Sequence, residues 1–272
     1  MKKIKILSTL GPSSLNKKFL KFANNNIDLV RLNLSHIDIS NLKNTIKFVK
    51  KNTKVPICID TEGAQIRTKV KKNKKFSIGK NEYIYLKNGN FKLYPDNIFH
   101  NLKKNDILDI GFDGLIIKLI KIYSNKISFK TIRAGLLENN KGVHVKNRLI
   151  KLNFLTDKDY EAIKISKKLD IKNFALSFTN SVKDIKRFDK ILPKENKIFK
   201  IETKKAINSL DQLLKNGKNF LIDRGDLSKE ISIFELPKVQ RTIFKKANKR
   251  NEIYVATNFL ESMLQNPQPN RG

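Results

Sequence analysis

Cysteine is almost absent: Cys58 stands alone in 272 residues. That excludes a disulfide framework and a cysteine-based metal cluster. Acidic side chains are also few, 25 against 57 lysines and arginines, for a formal net charge of +32. Arginine, whose planar fork suits bases and phosphates, is scarce within that positive set. No apolar run approaches the roughly 20 residues of a membrane-crossing helix. The opening MKKIKILSTLG carries Lys5, Ser8 and Thr9 where a signal peptide would need an unbroken apolar core. A cytoplasmic protein with no membrane span is the expectation. Excess positive charge by itself suits a polyanion such as nucleic acid. The lysines, however, run evenly from Lys2 to Lys249 in company with abundant Asn and Ile, which marks a biased composition. Nucleic acid is therefore not the expected partner, and the charge is expected to steer small anions toward the protein.

What is present is length enough for a sizeable core, with 39% hydrophobic residues. Short apolar runs alternate with helical stretches. Strands are expected at Lys3–Leu10, Asp28–Leu34, Val55–Ile59, Phe174–Phe178, Ile198–Ile201, Phe220–Ile222 and Ile253–Ala256. Helices are expected at Asn16–Asn24 (capped by Ser13 or Ser14), Asn41–Lys51, Lys158–Leu169 (capped by Thr156), Ser181–Ile191, Ala206–Leu214, Leu236–Lys249 and from Phe259. Between Thr68 and Asn147 the rhythm changes to β-rich pieces: Phe76–Ile78, Tyr83–Leu86, Ile107–Ile110, Leu115–Ile122, Ile127–Ile132 and Val143–Val145. Turn residues such as Asn88-Gly89 and Asp113-Gly114 punctuate them. The expected fold is α/β, a TIM-type (β/α)8 barrel incomplete at about seven βα units, with a small inserted β-domain. Residues 1–68 and 148–272 would form the barrel and 69–147 the insert. Its unpaired first and seventh strands are expected to be covered by self-association or a partner chain.

Polar residues follow the apolar runs at Ser8-Thr9, at Asn33, Ser35 and His36, and at Asp60-Thr61, the strand ends where parallel α/β folds bind ligands. The stretch Ile198–Ser228 is the richest. Two strands joined by a crossover helix bring Lys200, Glu202, Arg224 and Asp226 to one sheet edge. Two carboxylates can seat a hard cation such as Mg²⁺, and a lysine beside it suits the charge of phosphoryl transfer. The alternative is a charged strand end capped by solvent. His36 has no second His or Cys nearby and is not expected to bind metal; His100 and His144 are read as structural or surface residues.

The motifs resemble pyruvate kinase. The strings are STLGPSS (Ser8–Ser14), VRLNLSH (Val30–His36), IDTEGAQIRT (Ile59–Thr68), DGLI (Asp113–Ile116), KGV (Lys141–Val143), FKIET (Phe199–Thr203), DRGDLS (Asp223–Ser228) and VATNFLESM with NPQPNR (Val255–Arg271). The resemblance spans nearly the whole chain. It implies a barrel with an inserted β-barrel lid, and transfer of phosphoryl from phosphoenolpyruvate to ADP, giving pyruvate and ATP. It implies Mg²⁺ on Glu202 and Asp226, and Lys200 stabilising the migrating phosphoryl group. Arg31 would grip its phosphate, Gly225 and Asp226 would meet the substrate, and Thr257 would stand near the enolate face. K⁺ would lie at Asn33, Ser35, Asp60 and Thr61, and the nucleotide at Asn33, Ser35, His36, Arg67 and Lys141. Two of these have a rival reading: Arg31 paired with Asp60 for structure alone, and Lys141 as one more surface lysine. The chain departs from the family's DTKGPEIR-like string, with Glu62 for lysine, Ala64 for proline and Gln65 for a glutamate that accompanies K⁺ dependence. Ser228 replaces a glycine and Asn258 a glutamine. A catalytically inactive paralogue, binding a phosphorylated metabolite as a sensor or partner subunit, is the competing expectation.

Overall fold

Apolar runs too short for helices become parallel strands here, most of them followed by an amphipathic helix. The computed structural model describes residues 4–256, apart from 64, 71–74, 87–90, 112–113, 125, 149, 151 and the side chain of Asn97. Met1–Gly63 and Phe154–Gly272 form one compact unit, and Ala64–Asn153 forms a second. The first unit opens with β1 (Leu7–Thr9), α1 (Lys17–Asn26), β2 (Leu29–Asn33), α2 (Ile39–Asn52) and β3 (Ile57–Asp60). The second contributes β4 (Ile66–Val70), β5 (Phe76–Ile78), β6 (Tyr83–Leu86), β7 (Phe91–Tyr94), β8 (Ile107–Ile110), β9 (Leu115–Ile122), β10 (Ile127–Arg133), β11 (Gly135–Leu137) and β12 (Gly142–Val145). The first unit then resumes with α3 (Asp157–Lys168), β13 (Asn173–Leu176), α4 (Val182–Ile191), β14 (Asn196–Ile201), α5 (Lys204–Asn208) and α6 (Leu210–Asn216). It continues with β15 (Asn219–Asp223), α7 (Arg224–Leu227), α8 (Leu236–Lys246) and β16 (Glu252–Ala256).

In the first unit seven parallel strands lie in the order β1-β2-β3-β13-β14-β15-β16. This is the (β/α) pattern of a TIM-type barrel, incomplete because β1 and β16 do not pair. The sheet nevertheless curls until Lys5, just ahead of β1, meets Glu252 on β16 with Nζ–Oε1 at 2.9 Å. Every strand sends a side chain into the interior, where Leu7, Leu29, Cys58, Ala175, Ile198 and Leu221 meet Tyr254 and Ala256 of β16. The opposite faces pack beneath the helices, with Leu32, Ile59, Phe174, Phe199 and Phe220 against Leu42, Ile46, Phe188 and Leu213. Strands buried on both faces read as continuous apolar runs, as these do.

Local caps set the helix starts. Thr156 caps α3 in a reciprocal capping box with Asp159. The cap of α1 differs from expectation: Asn16, not Ser13 or Ser14, accepts from Phe19 N at 2.9 Å. Ser14 Oγ instead accepts from Gly11 N at 2.9 Å and closes the preceding turn. The single expected helix at Ala206–Leu214 is two, α5 and α6, meeting at Ser209.

The second unit is a closed barrel, β10-β6-β7-β4-β12-β8-β9, beside a two-stranded sheet of β11 and β5. Its own core includes Leu86, Leu93, Ile98, Ile117, Leu119 and Phe129. Three strands here, β4, β7 and β11, lie outside the β-rich pieces expected from sequence. Because β4 already pairs with β7 and β12, the unit takes in Ala64 through Asn153. No helix among the described residues is long and apolar enough to cross a membrane. The helix expected from Phe259 lies outside the described residues.

Candidate active site

The site follows from the two-residue period of the strands. The interior residues Leu29, Cys58, Ala175, Ile198 and Leu221 are apolar. Two positions further toward each C-terminal end, on the same face, stand Arg31, Asp60, Ser177, Lys200 and Asp223. The inner wall of the barrel thus passes from hydrocarbon to charge in one step, at the end where such folds place their chemistry.

These side chains are linked around the rim. Arg31 Nε donates to Thr9 Oγ1 at 2.8 Å, and its Nη1 lies 3.3 Å from Asp60 Oδ2. Ser177 Oγ donates to Thr61 O at 2.7 Å and lies 3.3 Å from Asp60 Oδ1. Lys200 Nζ is 3.4 Å from Asp60 Oδ2, 2.7 Å from Glu202 Oε1 and 3.5 Å from Asp223 Oδ2. Lys200 is only 4% exposed and Glu202 1%. Burial alone would lower the Lys200 pKa, but Asp60, Glu202 and Asp223 outweigh it and hold the ammonium charged, above the usual lysine range. Burial pushes the Glu202 carboxyl up to about 8; Lys200 opposes that rise, while Asp223 and Asp226 add to it. Burial also raises the Cys58 thiol, which therefore has no thiolate character.

Glu202 is held from its other oxygen, Oε2 accepting from Phe178 N at 2.6 Å. Phe178 adopts φ 53°, a left-handed conformation rare for so bulky a residue, of the kind retained where surrounding contacts enforce it. Gly63 sits at φ 67°, and a Cβ there would lie 2.8 Å from the Ser177 Cβ. Glycine is thus required beside the site. Asp159 secures the same turn, accepting from Glu62 N at 2.7 Å and Gly63 N at 3.1 Å. Glu62 itself turns to Lys158 (Nζ–Oε1 2.8 Å), so a lysine from α3 stands beside the acid that replaces the family's lysine.

Glu202, Asp223 and Asp226 each offer an oxygen, all within 4.8 Å of one another. Asp226 also pairs with Lys229, with Nζ–Oδ1 at 2.6 Å. The chain's own residues therefore fit a divalent cation. Glu202 Oε1 is buried and accepts no hydrogen bond, although Lys200 lies close to it. A carboxylate oxygen paired with one ammonium still has a lone pair that a cation can take up.

The structure brings Lys200, Glu202 and Asp226 together, and Arg31 and Asp60 with them. Asn33 is in register with Asp60, and its side chain accepts from Ser35 N at 2.9 Å, which begins the short helical turn Leu34–His36. Thr61 Oγ1 accepts from Ser177 N at 3.0 Å. Gly225 lies in α7, its carbonyl accepting from Ser228 Oγ at 2.8 Å. Arg67 and Lys141 belong to the second unit. There Arg67 Nη1 lies 3.5 Å from Asn140 O, and Lys141 pairs with Glu138 at 2.8 Å. Thr257 lies outside the described residues. Sequence reasoning passed over Ser177, Phe178 and Asp223. With Ala175 and Leu221 known to face inward, the strand period picks out the first and last, whereas nothing local marks Phe178.

The family model described as pyruvate kinase, barrel domain, matches residues 1–272. A pyruvate kinase of Thermotoga maritima is 29% identical across all of this chain and 62% of its own length. That of Clostridium acetobutylicum is 30% identical, also over 62% of its length. That of Buchnera aphidicola is 32% identical over 61%. The chain spans about three-fifths of the length of these relatives. With the barrel-domain model matched throughout and a Lys200–Glu202 pair at the mouth of a parallel barrel, the chain belongs to the pyruvate kinase family.

Proposed function

We propose that this protein transfers phosphoryl from phosphoenolpyruvate to ADP, with a divalent cation held by Glu202 and Asp226. The observation that supports it is the convergence on one rim of a buried, permanently charged lysine with carboxylates spaced to share an ion. Bound there, Mg²⁺ supplies positive charge to oxygens of the phosphate and of the departing enolate. In the reaction the enol oxygen–phosphorus bond breaks, an oxygen of ADP forms the new bond, and the enolate carbon takes a proton to give pyruvate. Lys200 offsets the charge on the phosphoryl group in transit, an electrostatic task needing no proton transfer. Arg31, oriented by Thr9 and Asp60, presents its guanidinium for the phosphate before transfer. Gly225 and Asp226 contact the substrate at the start of α7, and Thr257 stands by the enolate face. Asn33, Ser35, Asp60 and Thr61 line the place for K⁺. Asn33, Ser35 and His36 contact the nucleotide. The protein acts in the cytoplasm, and self-association covers the β1 and β16 edges.

A lactate-coupled assay with phosphoenolpyruvate, ADP and Mg²⁺ tests the reading. Lys200→Met is expected to lower kcat by at least about 10³-fold, as loss of a group acting only on the transition state does. Retention of full turnover would overturn it. The second reading, a binder of a phosphorylated metabolite without turnover, draws on Asp60, which engages both Arg31 and Lys200 within the protein. Saturable phosphoenolpyruvate binding by calorimetry with no pyruvate formed would establish that reading instead.

A further inference from the structure

Asp223 belongs to the charged rim, yet neither the motif spacing nor the family resemblance gives it a role. It ends β15 two residues beyond Leu221, whose side chain lies inside the barrel, so the period of the strand turns Asp223 to the same side. One of its oxygens lies within 4.8 Å of oxygens from both Glu202 and Asp226. It is not needed to neutralise Lys200. The ammonium already has Glu202 at 2.7 Å and Asp60 at 3.4 Å, and Asp223 stands further off at 3.5 Å. Glu202 Oε1 is buried, with Lys200 Nζ 2.7 Å away.

Magnesium is ordinarily held by one or two carboxylates, with waters and substrate phosphates completing the shell. Each added carboxylate raises affinity through ligand charge. We propose that Asp223 is a third protein ligand of the divalent cation, which raises the affinity of the substrate-free protein for that ion. The inference rests on the assignment of Glu202 and Asp226 to that ion.

Mn²⁺ is the probe, added to the full chain without substrate or nucleotide and followed by loss of the free-ion electron paramagnetic resonance signal. The wild type is expected to retain one Mn²⁺ per chain, and Asp223→Asn to weaken it at least about tenfold. Asp60→Asn, which removes a different neighbour of Lys200, is expected to stay within about threefold because it leaves the ligand set intact. Asp223→Glu keeps a carboxylate and should change the bound-ion spectrum, a readout that an effect through Lys200 would not move. If Asp223→Asn fails to fold, that spectrum decides: an Asp223→Glu signal identical to wild type overturns the inference. So does wild-type affinity in a folded Asp223→Asn, or an absence of binding by the wild type at millimolar Mn²⁺. If Glu202→Gln and Asp226→Asn lose the ion while Asp223→Asn keeps it, only the third ligand is refuted. If none of the three loses it, the assignment of the cation to this rim falls as well.

Discussion

Glu202 combines a demanding location with a demanding charge. Its carboxyl is raised from 4.5 to about 8, burial being the largest cause. A folded-state pKa above the unfolded value means that the native protein binds more protons across that interval, so stability falls as pH rises. Cation-free protein is therefore expected to be most stable near or below pH 4.5 on this group's account, and to lose that contribution progressively toward pH 8. Asp159, also raised chiefly by burial, adds a slope of the same sign. The comparison that isolates Glu202 is the thermal midpoint against pH for wild type and Glu202→Gln. The variant should lack the decline between about pH 5 and 8, and saturating divalent cation should flatten it in the wild type by favouring the ionised carboxylate. Parallel curves for the two proteins would show that Glu202 ionises normally in the fold.

At the scale of elements, β15 carries both a core residue and the rim. Phe220 is fully buried, its ring centroid 5.9 Å from that of Phe199, which in turn lies 6.3 Å from Phe188. Close behind it, a Cβ on Gly217 would come within 2.5 Å of the Phe220 Cζ, so the ring leaves no slack. Phe220→Ala is expected to cost about 3–5 kcal/mol, a fall in thermal midpoint of roughly 10 °C for a chain of this size. Differential scanning calorimetry checks it, and a loss under about 1 kcal/mol would mean that the helices collapse readily onto the cavity. Strands such as β15 were legible in the sequence because they are buried on both faces and read as apolar runs. The same property hid their inner face. With Phe220, Leu221 and Ile222 all apolar, the chain gave no alternation to show that Leu221 and Asp223 point inward, and Asp223 was taken for the mere end of a run. Lys200 and Glu202 were legible because charge interrupts β14 itself. In the second unit β6, β8 and β9 stood out between turn residues, whereas β4 and β7 carry Arg67, Lys69 and Lys92 and were lost among the lysines. Phe178 was illegible for a different reason, since its left-handed backbone is imposed by contacts made far along the chain.

For the whole molecule the dominant quantity is charge. A formal +32 on 272 residues leaves 57 lysines and arginines with only 25 acidic side chains to pair with. The ion pairs that exist are of two kinds. Those at the rim are buried and little affected by salt, whereas exposed ones such as Lys5–Glu252, Lys172–Asp170 and Lys246–Asp211 contribute little and are screened. Added salt therefore acts on two opposing populations: it weakens a modest number of surface attractions and also the repulsion among an excess of like charges. The Debye length shrinks from about 30 Å at 0.01 M to about 8 Å at 0.15 M, which removes mainly the long-range part, and the long-range part is repulsive here. The thermal midpoint is thus expected to rise by several degrees between about 0.01 and 0.15 M sodium chloride and then level off. Replacing chloride by another monovalent anion at equal ionic strength should give the same rise if screening is the cause, whereas a dependence on the anion's identity would point to specific binding. A fall in the midpoint over the same range would mean that the exposed pairs outweigh the repulsion, and that the lysines are arranged to find their few acidic partners.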